Sequence, residues 1–369
     1  MLYHLLTPLA DSNQFFNLFR YVTFRAAWGT VMSLALCYLF FPRFIAWLKK
    51  KKMEQIIRDD GPQTHIESKV GTPTMGGLVM VFAITLSTLL WARLDQPVVW
   101  MVLAVFNGYA AIGFIDDWKK VMHKSSDGLA GRWKMVGQFG IAGVVFGLGY
   151  QMGVIEPDLA LPFWKEGTVH FDELIPGFPA LGWLYILFAM FVCNGSSNAV
   201  NLTDGLDGLA IGPVMTSAAT LGLLAYAAGT VTFSAYLGVP HVPGASELAI
   251  FGMIIVGAGL GFLWYNSYPA SVFMGDVGSL ALGGALGALA VLSKHELLLA
   301  LVGGVFVMEA LSVIIQVVSF KTRGKRVFKM APIHHHYEKL GWSEPKIIVR
   351  FWIISVLLAL VALSTVKVR

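Results

Sequence analysis

The stretch GFIDDWKK (113–120) sets two adjacent carboxylates, Asp116 and Asp117, at the end of a long apolar run and just before Lys119 and Lys120. Neighbouring carboxylates raise each other's pKa unless a metal ion or a lysine compensates. Successive helical residues point about 100° apart, so the pair cannot meet one ligand equally. Two arrangements follow. Either one carboxylate binds a metal or activates a nucleophile while a lysine holds its neighbour, or both rest in headgroup water, paired to the lysines.

Three further polar stretches interrupt the apolar pattern. NGSSNAVNLTDGLDG (194–208) carries the turn pairs Asp204-Gly205 and Asp207-Gly208, with Asp207 placed to cap the next helix. WYNSYPASVFMGDVGS (264–279) puts Asp276 ahead of a helix whose first amides favour an anion such as phosphate. Phe273 there is either a stacking surface for a base or an aromatic of the membrane interface. KMAPIHHHYEKLGW (329–342) holds three consecutive histidines, His334, His335 and His336. A zinc site needs spaced ligands in a closed tetrahedral set, and Cys37 and Cys193 lie inside apolar blocks where packing explains them. The histidines read as donors to phosphate oxygens or as plain surface residues. Loops 201–208 and 266–278 contain carboxylates and neither Lys nor Arg. That fits a cation supplied from outside, as magnesium takes one or two carboxylates plus water and substrate phosphates. Glu309 stands alone inside VFVMEALSVIIQ. An intramembrane carboxylate is costly, and a functional and a hydrogen-bonded structural role weigh equally for it.

The elements that must position these residues are membrane helices. Of 369 residues, 56% are hydrophobic and 13% charged, against about 25% charged in soluble proteins. Apolar blocks recur at roughly the 20-residue length that spans a bilayer. Ten spans are expected, at 22–48, 75–94, 98–116, 135–153, 182–200, 209–229, 248–265, 279–293, 298–320 and 347–366. The seventh and eighth are Gly-rich and the eighth is short. The 39 glycines suit close helix–helix approach in lipid, with GGALGALA (283–290) read as packing. No stretch between spans is long enough to fold alone, so one integral membrane domain covers 1–369. The first residues lack the basic and apolar regions of a cleavable signal peptide, and no repeat supports an inverted-repeat transporter.

Charge gives a sidedness. Loops 43–69, 119–134 and 321–350 hold seven, five and eight basic residues, 20 of the 27 Lys and Arg. All three follow odd-numbered spans, which makes that side cytoplasmic and puts both termini outside. The net charge of +5 therefore reflects membrane orientation and not nucleic acid. The outer side carries Asp95, Glu156, Asp158, Glu166, Asp172, Glu173, Glu247 and Glu296, and loop 154–181 reads as a small periplasmic β-hairpin. Each of the four polar stretches also follows an odd-numbered span. They converge on the basic face, where a site would be built from loops 49–74, 116–134, 194–208, 264–279 and 321–346.

GTPTMGG (71–77), GFIDDWKK, NLTDGLDGLA, NSYPASVFMGDVGSLALGG and APIHHHYEKLGW together resemble the bacterial phospho-N-acetylmuramoyl-pentapeptide-transferases, within the polyprenyl-phosphate N-acetylhexosamine-1-phosphate transferases. The match runs from about residue 60 to the C-terminus. The resemblance implies a magnesium-dependent enzyme of the bacterial inner membrane, as a homodimer. It moves phospho-N-acetylmuramoyl-pentapeptide from its UDP carrier to undecaprenyl phosphate, with UMP leaving and lipid I formed. It further implies that Asp276 binds the magnesium ion and that Asp116 and Asp117 are the catalytic carboxylates, Asp116 handling the lipid phosphate. Asn201 and Asp204 would arrange metal and pyrophosphate. Gly205, Leu206, Asp207, Asn266 and Phe273 match positions that hold uridine. Lys69, Thr74, Lys120 and Lys134 match polar positions around the site, and His334, His335 and His336 would contact donor phosphates or sugar. The sister transferases that load N-acetylglucosamine-1-phosphate share the aspartate motifs; APIHHHYEKLGW favours the muramoyl members. A cation-coupled transporter would spread its carboxylates through the bilayer depth, whereas these cluster at one face.

Overall fold

A computed structural model describes residues 1–51, 53, 71–123, 127–162, 167–175 and 177–366. After a short α1 (Leu2–Leu6) and two 3-10 stretches come α2 (Val22–Lys50), α3 (Gly77–Trp91), α4 (Pro97–His123) and α5 (Gly131–Gln151). A two-stranded sheet follows, β1 (Asp158–Ala160) and β2 (Thr168–His170), antiparallel with Asp158 opposite His170. The rest is helical: α6 (Gly182–Thr203), α7 (Ile211–Ala228), α8 (Val231–Leu237), α9 (Ser246–Asn266), α10 (Gly275–Leu292), α11 (Glu296–Val302), α12 (Gly304–Arg323), α13 (Ile333–Lys339) and α14 (Glu344–Thr365).

A helix overlaps each expected span, with the ninth divided between two, and among the described residues eight helices are long and apolar enough to cross a membrane; Gly131–Gln151, at the expected fourth span, is not one of them. The Gly77–Trp91 helix is apolar but only 15 residues long. Two boundaries differ in ways that matter. The apolar pattern ends the third span at Asp116, but α4 runs to His123 and carries both aspartates inside it. The ninth is broken at Gly303 into α11 and α12.

The bundle is organised around α10, in which every residue from Val277 to Leu292 is buried. It packs between α4 and α6 and touches α3 and α7. Its glycines explain how. A Cβ at Gly283 would come 2.6 Å from the Cα of Ser197, one at Gly287 2.6 Å from the Cα of Cys193, and one at Gly284 2.5 Å from the ring of Tyr109. Lipid tails are as apolar as leucine, so close backbone approach supplies the packing energy. The eighth span is thus small-residued because it is the most enclosed. Cys37 and Cys193 are buried free thiols.

Two of the acidic residues placed on the outer side from the sequence are buried. Glu247, 3% exposed, accepts both Nη1 and Nη2 of Arg25 at 2.6 and 2.7 Å and the amide of Arg93 at 2.9 Å. Glu296, also 3% exposed, accepts the hydroxyl of Tyr185. Lys294 Nζ beside it donates to the carbonyls of Glu156 and Asp158 and to Tyr185, fastening the hairpin to the end of α10. Burial strips water from these groups, so each charge needs a partner.

Candidate active site

The three aspartates meet where α4 crosses the start of α10. One carboxylate oxygen from each of Asp116, Asp117 and Asp276 lies within 4.8 Å of the others. The approach depends on small residues. A Cβ at Gly113 would overlap the carbonyl of Asp276, and one at Gly128 would overlap the carboxylate of Asp116. Gly275 turns the chain into α10 with φ +75, and a Cβ there would overlap Oδ2 of Asp117. That left-handed backbone is open to glycine at little cost.

Asp116 is fully buried and Asp117 is 4% exposed, so neither rests in headgroup water. Asp116 Oδ1 accepts the Leu129 amide at 2.6 Å and lies 2.9 Å from Lys134 Nζ. Its Oδ2 lies 2.6 Å from Lys120 Nζ. Asp117 turns the other way and accepts the Val277 amide at 3.0 Å. The first amides of α10, expected to receive a phosphate, therefore meet a carboxylate of the protein itself, which the helix dipole also favours. Asp276 is in the first turn of that helix and caps nothing. Its Oδ2 is shared by Lys134 at 2.6 Å and Lys120 at 3.3 Å. The 100° offset separates the neighbours only in part: Asp116 lies against both lysines, while Asp117 directs Oδ2 to the helix start and keeps Oδ1 3.7 Å from Lys120 Nζ. Lys119 is exposed on another face.

The remaining loops join this centre through a chain of contacts. The amide of Phe273 donates to the Pro73 carbonyl at 2.9 Å, and that of Gly76 to the Phe273 carbonyl at 2.8 Å. Thr74 is buried beside Gly275. Asn201 Oδ1 accepts the Ser279 hydroxyl at 2.8 Å, one turn beyond Asp276. Asn266 spends both ends of its amide on the fold, donating to the Val272 carbonyl at 2.8 Å and accepting the Gly208 amide at 2.9 Å. The turn pattern makes Asp207 the cap of α7, but that helix starts at Ile211 after Ala210. Asp207 instead accepts the Ala270 amide at 2.9 Å, tying the two loops together. Asp204 closes α6 as its C-cap residue. Leu206 is core, packed with Leu209, Val305, Ile347, Ile348 and Phe351; its side chain is spent on packing and only its backbone faces the turn. Phe273 is half-buried, with part of its surface open. Lys69 lies outside the described residues.

The histidines divide. His334 is fully buried, with Nδ1 3.1 Å from Glu309 Oε1. It reaches Gly205, where a Cβ would overlap Nε2. His335 Nδ1 pairs with Glu338 at 2.6 Å, and His336 Nδ1 accepts the Lys329 amide at 3.1 Å. The His334 and His335 rings lie 4.1 Å apart, while His336 turns to Phe328 and Lys329.

Several residues that build the site carry no signal in the sequence. Glu344 accepts the Asp207 amide at 2.8 Å, and Trp352 Nε1 donates to the Gly208 carbonyl at 3.2 Å. Both come from α14, and neither has a motif around it. Charge and size alone do not single them out, because their partners are backbone atoms of a distant loop.

Buried carboxylates facing two ammonium groups form a setting for phosphate chemistry. The comparisons agree with that chemistry. A glycosyl transferase family 4 model matches residues 99–294. Phospho-N-acetylmuramoyl-pentapeptide-transferases from Citrifermentans bemidjiense, Syntrophus aciditrophicus and Dinoroseobacter shibae are 56%, 54% and 54% identical to the chain, each over the whole of both sequences. With the aspartate centre and its loops in place and the likeness extending from end to end, the chain belongs to the phospho-N-acetylmuramoyl-pentapeptide-transferase family.

Proposed function

We propose that the chain transfers phospho-N-acetylmuramoyl-pentapeptide from its UDP carrier to undecaprenyl phosphate in the bacterial cytoplasmic membrane. UMP leaves and lipid I forms, the first membrane step of peptidoglycan synthesis. The observation that carries this reading is the meeting of Asp116, Asp117 and Asp276 with Lys120 and Lys134, in a chain more than half identical to such transferases along its length. In the orientation we assign, ten spans put both termini outside and the site on the basic, cytoplasmic face, in keeping with the charge of the loops. A single membrane domain and a homodimer complete the reading, the dimer on the family resemblance alone.

The donor set fits magnesium. Carboxylate oxygens are the hard ligands it prefers, and two ammonium groups already lie against them. Asp276 would hold the ion, with Asp116 and Asp117 alongside. What the ion supplies when bound is charge neutralisation on the donor pyrophosphate. Lys120 and Lys134 would move from the carboxylates to phosphate oxygens as the anionic substrates enter. Asp116 would accept the proton of the lipid phosphate, and the burial of α4 at this point keeps bulk water from competing with it. An oxygen of that phosphate forms a bond to the β-phosphorus of the donor, the bond from that phosphorus to the bridging oxygen breaks, and UMP carries the electron pair away. In the covalent alternative a carboxylate attacks first and the lipid phosphate second. Stereochemistry at a chiral β-phosphorus separates them: inversion for one displacement, retention for two. The turn 204–208, with Asn266 and Phe273, would hold uridine, Phe273 stacking on the base, while His335 and His336 would meet donor phosphate or sugar. Asn201, Asp204 and Thr74 border the same ground.

The test is UMP release in detergent from UDP-N-acetylmuramoyl-pentapeptide and undecaprenyl phosphate, with magnesium and after chelation. We expect release with magnesium, none after chelation, and recovery on adding magnesium back. Release supported by UDP-N-acetylglucosamine and not by the muramoyl donor would move the chain's activity to the sister transferases. Release undiminished by chelation would remove the metal from the reading.

A further inference from the structure

Glu309 lies fully buried within α12, and neither carboxylate oxygen meets a hydrogen-bond donor in good geometry among the described residues. The basic group beside it is the imidazole of His334, with Nδ1 3.1 Å from Oε1. That ring is itself fully buried, and Nε2 points at Gly205, where a Cβ would overlap it. One imidazole therefore spans from a helix-embedded carboxylate to the turn between α6 and α7. The turn is gripped elsewhere by Glu344 on the Asp207 amide, Asn266 on the Gly208 amide and Trp352 on the Gly208 carbonyl. His334 is the contact at its Gly205 end. Behind it the His335 ring sits 4.1 Å away, centroid to centroid, held by Glu338.

We infer that Glu309 is a positioning residue of the nucleotide site. It acts through His334 and does not touch the donor. A carboxylate 3.1 Å from Nδ1 favours the proton on that ring nitrogen and draws the ring toward one orientation, as carboxylates do for functional histidines elsewhere. The ring takes the space a side chain at position 205 would fill, and so sets the backbone that carries Asp204 and Asp207. This gives the isolated intramembrane carboxylate a purpose at the site, although Glu309 is distant in sequence from every aspartate motif. The inference rests on the reading that turn 204–208 holds the uridine nucleotide.

The test uses the full-length protein and reads UMP binding by calorimetry alongside steady-state UMP release. Glu309→Gln keeps the size of the side chain and offers an amide where the ring needs a carboxylate. We expect it to weaken UMP binding and raise the donor KM by about tenfold, with the KM for undecaprenyl phosphate moving by less than about twofold. Glu309→Asp, which restores the carboxylate, should recover part of the loss. In a His334→Asn background, adding Glu309→Gln should cost less than about a further twofold, because the two residues act as one unit. Unchanged UMP binding, equal losses for donor and acceptor, or additive losses in the double variant each overturn the inference. So does failure of both Glu309 variants to fold, which would make the carboxylate a stability element only. A wild-type protein that binds UMP but does not turn over the muramoyl donor undoes the functional reading, while the binding comparison still decides this one.

Discussion

Lys134 Nζ lies 2.6 Å from Asp276 Oδ2, across 142 positions of sequence. The same nitrogen lies 2.9 Å from Asp116 Oδ1. One ammonium group thus joins the start of α5, the last turns of α4 and the first turn of α10. Residues far apart in the chain meet at this nitrogen, so the charge cluster lies where three helices come together.

Neutralising any member of that cluster should stop the chemistry without unfolding the bundle. Asp116→Asn, Asp117→Asn and Asp276→Asn keep shape and remove charge. Each should lower the rate of UMP release by about 10²-fold or more, the scale seen when one preorganised electrostatic group is lost. Melting temperature in detergent is the control for folding. Full activity in Asp276→Asn would reject its place at the metal.

Gly113 is where α4 lets α10 come close. A methyl group there overlaps the Asp276 carbonyl, which is backbone and cannot swing aside. Gly113→Ala should cost about 1–3 kcal/mol, as overpacking does, and slow UMP release by displacing Asp276 from Asp116. Gly140→Ala on α5 is the comparison, since nothing lies within 4 Å of its Cβ. It should leave turnover unchanged and melting unchanged or slightly raised, since alanine is the better helix residue. Equal behaviour of the two variants would contradict the close-approach account.

These contacts separate what local sequence encodes from what only packing decides. Spans are legible because an uncharged apolar run of bilayer length is a poor fit to a water-soluble fold. The aspartates are legible because paired charge at the end of such a run is expensive. Burial is not legible: Asp116 reads as a helix-end residue because Trp118, Lys119 and Lys120 follow it, and only tertiary contact shows that α4 continues to His123. Leu206 and Asn266 sit within long motifs, yet the structure spends their side chains on packing and loop bracing. Glu344 and Trp352 carry no local pattern, and Glu309 stands out as a lone intramembrane carboxylate without a sign of its partner. Their partners are set by how distant helices stack, which periodicity does not encode.

At the other end of α9 from Asn266, the Arg25–Glu247 pair should matter for stability alone. Asn266 is about 28 Å away along the helix at 1.5 Å per residue. Arg25→Ala leaves Glu247 buried without its bidentate partner, and breaking such a pair costs about 3–5 kcal/mol. The double variant Arg25→Met, Glu247→Leu removes both charges and should regain most of that loss. Turnover per folded molecule should stay at the starting level in both. A double variant as unstable as Arg25→Ala would mean that the pair contributes more than mutual neutralisation.

The hairpin should respond to pH through His170. Its Nδ1 lies 2.8 Å from Asp158 Oδ1, the residue directly opposite it in the register of β1 and β2. That hydrogen bond raises the imidazole above its ordinary value, while the unfolded chain keeps a value of about 6.5. The folded hairpin therefore holds the proton more tightly. Its contribution is full below about pH 6.5 and disappears as pH rises through the higher, folded value. Titration of His170 by NMR should show the upward displacement, and Asp158→Asn should abolish it. Amide exchange at Val169, corrected for the intrinsic effect of pH, should quicken above the folded value in the wild type and lose that dependence in the variant. A wild-type His170 that titrates at its ordinary value would break the link between the pair and the hairpin's order.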